Sequence, residues 1–312
     1  MKALVISGGG SKGAFAGGVA EYLINEKKRE YDMYLGSSTG SLLIPNLALS
    51  NIEKMHDIYT NVNQQNIFSL SPFKVRYKEG EEFIQIHHLN VLLQLIKGKR
   101  TFGESKRLRK LIKKSFSEAE FEELKASEKD VIVTVTNLTL NKVEYKSIKD
   151  FNYEEFCEWI WISCNYVPFM SLVKKGDFEY ADGGFSCVVP IREAILRGAT
   201  EIDAIILDTE AFTYRKAIGK NPFSLMVDLF DGILDQVEKK DIALGKLSAK
   251  HNNVVLNLYH TPIKLTDNSL VFSKQKMTKW WRQGYEYAKH KLEDDSEIDY
   301  EAVINSKPSL RD

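Results

Sequence analysis

The hydrophobic pattern at the start of the chain switches between two periods. Residues 2–6 form a short apolar run that ends in a glycine-rich turn, which is typical of a buried strand. Over residues 14–24 the apolar positions recur every three or four residues, which predicts a helix. The same order returns over residues 31–44. The pattern therefore predicts two consecutive strand–turn–helix units.

Strands and helices continue to alternate to about residue 208, apart from a predicted helical insertion over about 51–128. This order favours an α/β fold with a mainly parallel sheet between helical layers, as in flavodoxin-like and Rossmann-like proteins. The later predicted elements are a β-hairpin over 131–146, a buried helix over 153–162, a strand leading into 182, a helix over 191–196, a strand over 202–207, a helix over 225–247, a strand over 254–258 and a helix around 280–281.

No repeat, low-complexity tract or linker divides the chain, so we expect a single domain over 1–312. The candidate motifs lie in a core of about 1–210. A C-terminal extension of about 211–312 follows the core.

Charge and cysteine content exclude several classes of protein. The chain has 43 Lys plus Arg and 43 Asp plus Glu, so no overall field attracts nucleic acid. Cys157, Cys164 and Cys187 are too few for a disulfide framework and lack zinc-site spacing, and the six histidines show no metal spacing. No apolar run suits a signal peptide or a membrane span, so we expect a cytoplasmic protein that meets lipid from the water side.

A pentapeptide of the form Gly-x-Ser-x-Gly follows the second predicted strand. It consists of Gly36, Ser37, Ser38, Thr39 and Gly40. This pattern is typical of a nucleophile elbow, a tight strand-to-helix turn that exposes a serine hydroxyl at the edge of a sheet. The string alone is weak evidence, and its position between a strand and a helix makes Ser38 a candidate nucleophile.

A glycine-rich loop follows the first predicted strand and opens a helix. It consists of Gly8, Gly9, Gly10, Ser11, Lys12 and Gly13. Backbone N–H groups at a helix N-terminus bind anions, so the loop suits an oxyanion hole. The same glycines match a dinucleotide-binding fingerprint, but that site needs an acidic residue at the end of the second strand. Asp32 sits at the start of that strand and not at its end, and the elbow downstream favours acyl transfer. A Rossmann-type nucleotide-binding protein is the alternative.

The tripeptide Asp182-Gly183-Gly184 follows a short β-like stretch. By itself Asp-Gly is a common turn dipeptide. A serine nucleophile also needs a base, and a carboxylate on a glycine turn is able to approach another loop closely. Asp182 is therefore the candidate base.

Together these three motifs resemble, in order, the three conserved blocks of the patatin-like phospholipases. Residues 131–139 are similar to that family's strand after the insertion, and Ser163-Cys164 with Pro168-Phe169 is similar to its serine-then-proline loop. Pro190 also lies where the family usually has a proline. The resemblance covers roughly residues 2–208.

The resemblance implies a lipid acyl hydrolase with a Ser38–Asp182 dyad and no cofactor. Ser38 would attack an ester carbonyl, Asp182 would take its proton, and the N–H groups of Gly9, Gly10 and Ser11 would hold the oxyanion. Lys12 would stabilise the loop or meet a phosphate headgroup. The resemblance does not identify an activating protein partner.

A Ser-Asp-His triad is the other catalytic arrangement that the chain order permits. His251, His260 and His290 follow Asp182, and His260 is the best triad candidate because it follows a strand-like run. A dyad predicts that no essential group ionises near the histidine value of about 6.5.

Basic residues crowd one part of the predicted insertion. They are Lys97, Lys99, Arg100, Lys106, Arg107, Arg109, Lys110, Lys113 and Lys114. A solvated helix face is the default interpretation, and an anionic membrane surface is the alternative.

Overall fold

The computed structural model describes residues 1–78, 81–210, 222–266 and 268–293. Parts of the predicted C-terminal extension, residues 211–221, 267 and 294–312, lie outside the described residues. The strands are β1 (Lys2–Ile6), β2 (Met33–Ser37), β3 (Phe73–Lys78), β4 (Glu81–Ile86), β5 (Asp130–Asn137), β6 (Lys142–Ser147), β7 (Val173–Lys175), β8 (Phe178–Asp182), β9 (Glu201–Ile206) and β10 (Val255–His260). The helices are α1 (Gly13–Glu21), α2 (Thr39–Ala48), α3 (Ile52–Asn61), α4 (Gln64–Ile67), α5 (His88–Ile96), α6 (Lys106–Ser115), α7 (Glu118–Ala126), α8 (Tyr153–Ser163), α9 (Ile191–Leu196), α10 (Pro222–His251) and α11 (Lys274–Glu293).

Eight of the strands form one mixed sheet. Its order is β10-β9-β1-β2-β5-β8-β7, and β6 also pairs with β5. The five strands from β10 to β5 are mutually parallel, whereas β6, β7 and β8 pair antiparallel. The predicted α/β fold with a mainly parallel sheet is confirmed.

Strand β5 has three partners on two edges. Strand β6 pairs along residues 132–137 and therefore fills one edge. Strands β2 and β8 share the other edge, where β2 pairs with residues 130–134 and β8 with residues 135–137. The carboxyl ends of β2 and β8 consequently meet against neighbouring residues of β5.

Helices cover both faces of the sheet. Along β1, Leu4 and Ile6 pack into the larger hydrophobic cluster, whereas Ala3 and Val5 pack into the smaller one. Successive side chains of a strand point to opposite faces, so this division places a core on each side. The larger core includes residues of α1, α2 and α8, and the smaller one includes residues of α9.

The region predicted as a helical insertion contains helices α3 to α7 and also an antiparallel hairpin, β3–β4. The hairpin was not predicted. Residues 73–77 alternate apolar and basic side chains, which is the period of a strand. The short strand β7 was also not predicted.

The C-terminal helix α11 packs directly on α1. A Cβ atom on Gly18 would lie 1.8 Å from the carbonyl oxygen of Trp281, and one on Gly284 would lie 2.1 Å from that of Phe15. Glycines therefore allow the two helix backbones to approach. Trp280 and Trp281 of α11 are buried. Within the described ranges, no helix has both the length and the apolar character required to cross a bilayer.

Candidate active site

Ser38 lies in a strained turn between β2 and α2. Its backbone has φ 51° and ψ −121°, a conformation that residues other than glycine rarely adopt. A Cβ atom on Gly36 would lie 2.4 Å from the carbonyl carbon of Gly40, and one on Gly40 would lie 2.3 Å from the carbonyl oxygen of Ile6. The turn thus has the geometry of a nucleophile elbow, and both glycines are sterically required.

The residues on either side of Ser38 are anchored inside the protein. The Ser37 hydroxyl donates to the carbonyl oxygen of Cys187 at 2.9 Å. The Thr39 hydroxyl lies 2.8 Å from the hydroxyl of Tyr59. Because both neighbours are buried and held, the Ser38 side chain is the one that the turn presents toward the acidic loop.

Ser163 at the end of α8 holds the elbow by hydrogen bonds. Its hydroxyl accepts the N–H of Ser38 at 3.0 Å, donates to the carbonyl oxygen of Thr134 at 2.7 Å and lies 2.8 Å from the Ser41 hydroxyl. The Cys164 thiol donates to the carbonyl oxygen of Ser38 at 3.1 Å. Both backbone groups of the strained residue are therefore satisfied by side chains, which stabilises the turn.

Asp182 is brought to Ser38 by the register of β5. Ser37, the last residue of β2, pairs with Thr134, and Asp182, the last residue of β8, pairs with Val135. The Ser38 hydroxyl donates to Oδ2 of Asp182 at 2.7 Å. This hydrogen bond joins the candidate nucleophile to the candidate base.

The Asp182 carboxyl is almost completely removed from solvent. Only 3% of the residue is exposed. Burial raises the pKa of Asp182 to about 7, although the hydrogen bonds from Ser38 and from the N–H of Gly184 oppose the shift. The expectation that no essential group ionises near 6.5 assumed an ordinary carboxyl, whereas a base with a pKa of about 7 would itself ionise in that range.

No histidine is among the described hydrogen-bonding partners of Ser38 or Asp182. His260 lies on β10, three strands away from β2, a separation of about 14 Å at the usual strand spacing. Its Nε2 atom is 3.2 Å from a carboxylate oxygen of Glu210. His251 and His290 lie on α10 and α11. This arrangement supports the dyad over the triad.

The glycine-rich loop runs past the nucleophile. A Cβ atom on Gly8 would lie 3.3 Å from the Cβ atom of Ser38. The N–H of Gly8 donates to the carbonyl oxygen of Val188 at 3.2 Å. The N–H groups of Gly9 and Gly10 have no acceptor in the part of the chain that the structure describes. These two donors are the ones available to an oxyanion.

The N–H of Ser11, the third expected donor, already has a partner. It donates to the carbonyl oxygen of Ser269 at 2.8 Å. At Gly10, which has φ +55°, a Cβ atom would lie 2.3 Å from the same oxygen, so only glycine fits there. The contact with Ser269 therefore leaves Gly9 and Gly10 as the candidate oxyanion hole.

Lys12 and Gly13 close the loop onto α1. The N–H of Lys12 donates to the carbonyl oxygen of Gly9 at 3.1 Å. A Cβ atom on Gly13 would lie 2.3 Å from the Thr39 hydroxyl, so this glycine lets α1 approach the elbow. Burial raises the pKa of Glu238 to about 8, and the positive charge of Lys12 opposes that shift. Lys12 thus interacts with a buried carboxyl, which favours its loop-stabilising role.

The loop after Asp182 is held by a residue that the sequence analysis did not identify. Oδ2 of Asp241 on α10 accepts the N–H of Val188 at 2.6 Å and that of Val189 at 3.1 Å. A Cβ atom on Gly183 would lie 2.3 Å from the carbonyl oxygen of Thr134. Asp241 lies in a helical pattern with no motif, so no sequence signal distinguishes it.

Asp32 does not lie where a ribose-binding carboxylate is needed. It precedes β2, and its Oδ2 atom accepts the N–H of Lys2 at the start of β1 at 2.7 Å. The glycine loop lies at the opposite, carboxyl end of these strands. This position disfavours the dinucleotide-binding alternative.

Two apolar regions flank the dyad. Tyr166 stacks on Phe169 and Phe185 with centroid distances of 5.8 and 5.2 Å, and Phe230 of α10 packs edge-on against all three rings. On the side of α2 lies an apolar cavity whose lining includes Thr39, the residue after Ser38. Its other lining residues are Leu42, Met55, Ile58, Tyr59, Val62, Ile67, Leu108, Leu111, Ile112, Ser115, Phe272 and Met277.

The comparison with protein-family models agrees with the motifs. A family model described as patatin-like phospholipase matches residues 4–195. Among solved structures the chain is similar to VipD from Legionella pneumophila, with 14% sequence identity and a TM-score of 0.47. That match covers 93% of this chain and 66% of the VipD chain, slightly less than two thirds of its length. No match is found among curated proteins.

Proposed function

The chain belongs to the patatin-like phospholipase family, and from this premise we propose that it hydrolyses fatty-acyl esters of lipids, as a phospholipase A or lysophospholipase. The observation that carries the proposal is the 2.7 Å hydrogen bond between the Ser38 hydroxyl and the buried Asp182 carboxyl. A serine oxygen on a strained elbow, next to a base, is the arrangement that nucleophilic catalysis requires.

In the acylation step, Oγ of Ser38 attacks the carbonyl carbon of the ester while Asp182 takes the hydroxyl proton. The carbonyl oxygen becomes an oxyanion, for which the N–H groups of Gly9 and Gly10 are the proposed donors. The bond to the leaving alcohol then breaks, and the alcohol takes the proton from Asp182. The fatty acid remains bound to Ser38 as an ester.

In the deacylation step, Asp182 takes a proton from water, and the resulting hydroxide equivalent attacks the acyl carbon. The bond to Ser38 breaks, Oγ recovers the proton and the fatty acid leaves. A base with a pKa of about 7 is suited to both proton transfers at neutral pH, because it gives and takes the proton with similar ease.

The apolar cavity lined in part by Thr39, which follows the nucleophile in sequence, supports an apolar acyl group as part of the substrate. Its lining of mostly aliphatic and aromatic side chains suits a hydrocarbon group better than a polar group. The positive charge of Lys12 lowers the pKa of the buried Glu238 carboxyl, so we assign Lys12 to stabilising the loop and not to the headgroup.

The proposal is tested by labelling the protein with a fluorophosphonate probe and mapping the labelled peptide, followed by lipid profiling of the products from mixed phospholipid and neutral glyceride substrates. We expect the label on the peptide that contains Ser38 and the release of free fatty acid. The matched control is Ser37→Ala, which removes the neighbouring hydroxyl and retains the nucleophile. Label at any other serine, or no fatty acid release, would refute the proposal.

A further inference from the structure

Helix α5 carries its apolar side chains on the outside of the protein. Its exposed residues Leu89, Leu92, Leu93, Leu95 and Ile96 are between 38% and 73% exposed. At 100° per residue they occupy a single arc of the helix, which is the geometry of an apolar stripe. In a helix of a globular protein such a stripe normally faces the core.

The inner side of the same helix is polar. Gln94 is buried, and the side-chain amide of Asn90 donates to the carbonyl oxygen of Ser71 at 2.9 Å. The amphipathic helix is therefore inverted, with its polar side against the protein and its apolar side in solvent. A contiguous exposed apolar patch of this kind marks an interaction surface.

The charge around the patch identifies the kind of partner. Between Glu82 and Glu104 the chain has no acidic residue, and α5 is followed directly by Lys97, Lys99 and Arg100. Lys97 and Lys99 are exposed, and no carboxylate in the described ranges forms an ion pair with either of them. Aliphatic side chains beside lysines suit the acyl and headgroup layers of an anionic membrane.

The composition of the patch disfavours another protein as the partner. The centres of protein interfaces are enriched in aromatic residues and arginine and depleted in lysine. The exposed arc of α5 contains only leucine, isoleucine and one histidine, His88. The patch therefore lacks the side chains that usually anchor a protein partner.

The basic residues of α6, the other candidate membrane contact, are mostly engaged within the protein. Lys106 pairs with Glu104 at 3.4 Å, Arg109 pairs with Glu158 at 3.1 Å, and Lys113 pairs with Glu154. These pairs favour a solvated helix face for α6. Helix α5 has an apolar surface and is followed by Lys97 and Lys99, which form no ion pair within the described ranges.

The segment before α5 contacts the aromatic cluster near the dyad. The N–H of Phe73 donates to the Ser71 hydroxyl, and the carbonyl oxygen of Ser71 accepts the side-chain amide of Asn90 on α5. Phe73 stacks on Phe169 at a centroid distance of 5.6 Å, and Phe169 belongs to the aromatic cluster beside the Asp182 loop. Packed aromatic rings therefore join the segment before α5 to the cluster beside the Asp182 loop.

We propose that α5, with Lys97 and Lys99, is the surface by which this protein binds an anionic lipid bilayer. Its leucines and Ile96 enter the acyl boundary, and the lysines contact the lipid phosphates. The role in delivering lipid to Ser38 rests on the proposed function, whereas the binding itself does not. The binding is therefore tested without catalysis.

The experiment is vesicle co-sedimentation in a Ser38→Ala background, with phosphatidylcholine vesicles that contain or lack phosphatidylserine. We expect Leu92→Glu/Ile96→Glu to lower partitioning to both vesicles, by on the order of tenfold or more. Lys97→Glu/Lys99→Glu should lower it by a similar factor only when phosphatidylserine is present. The matched control is Leu196→Glu, which changes a 68% exposed leucine on α9 and should have no effect.

Three results separate this proposal from its rivals. Unchanged partitioning of the Leu92→Glu/Ile96→Glu variant, with its circular dichroism spectrum preserved, would overturn it. A dimer in analytical ultracentrifugation that the same variant dissolves would show that a second copy covers the patch and would also overturn it. Normal vesicle binding in the Ser38→Ala background, together with a wild-type protein that hydrolyses no lipid, would support the surface and refute only the proposed function.

Discussion

Ser38 and Asp182 are 144 residues apart in sequence and share a hydrogen bond of 2.7 Å. They meet because β2 and β8 approach the same edge of β5 from opposite directions and end against the consecutive residues Thr134 and Val135. The dyad therefore depends on strand register, and a shift of one residue along β5 would separate its members.

The first prediction concerns the identity of the base. Asp182→Asn should abolish ester hydrolysis as fully as Ser38→Ala, because the amide cannot accept the serine proton. Alanine at His251, His260 or His290 should leave most of the activity, because none of them is a described partner of the dyad. Initial rates with a soluble short-chain ester measure this directly. A single histidine variant as inactive as Ser38→Ala, but normally folded, would establish a triad.

The second prediction concerns the pH dependence of catalysis. The base acts when it is deprotonated, and burial raises the pKa of Asp182 to about 7. The value of kcat/KM should therefore rise with pH and level off above about pH 7. The profile should be the same in His260→Ala. A profile that is already flat at pH 5 would contradict the raised pKa.

The third prediction concerns stability. The folded carboxyl has a pKa of about 7 against an ordinary value of 3.8, so at pH values between these two the folded state binds an extra proton. Stability should accordingly fall as pH rises through this window. Asp182→Asn removes the penalty, so its gain in unfolding free energy should grow from near zero at pH 4 to at most about 4 kcal/mol at pH 8. Denaturant unfolding at both pH values measures it, and a pH-independent difference would contradict the explanation.

The fourth prediction concerns Ser163, which holds the Ser38 N–H at 3.0 Å. Ser163→Ala leaves that buried donor without its acceptor and should cost about 1–3 kcal/mol of stability. Because the strained φ and ψ of Ser38 lose their support, kcat should also fall more than KM changes. Ser163→Thr keeps the hydroxyl and should recover part of kcat. Equal kcat in the wild type and in Ser163→Ala would show that the elbow does not need this contact.

Local sequence determined much of the fold. The apolar runs that became β1, β5, β9 and β10 were predicted close to their observed positions, because a buried strand needs adjacent apolar residues whatever its neighbours are. The hairpin β3–β4 was missed within a helical region, and the short β7 was missed because three residues carry too little pattern. The three motifs also identified Ser38, Asp182 and the glycine loop as candidates, since tight turns leave a local glycine signature.

Other features were decided only by the tertiary structure. The elevated pKa of Asp182 arises from burial by distant segments, and the sequence indicated an ordinary carboxyl. The partner of the Ser11 N–H is a carbonyl of Ser269, and the anchor of the Val188 loop is Asp241 on α10. The outward direction of the leucines on α5 is likewise a result of packing. Periodicity shows that a helix has an apolar stripe, but only the surrounding chain decides whether that stripe meets the core or the solvent.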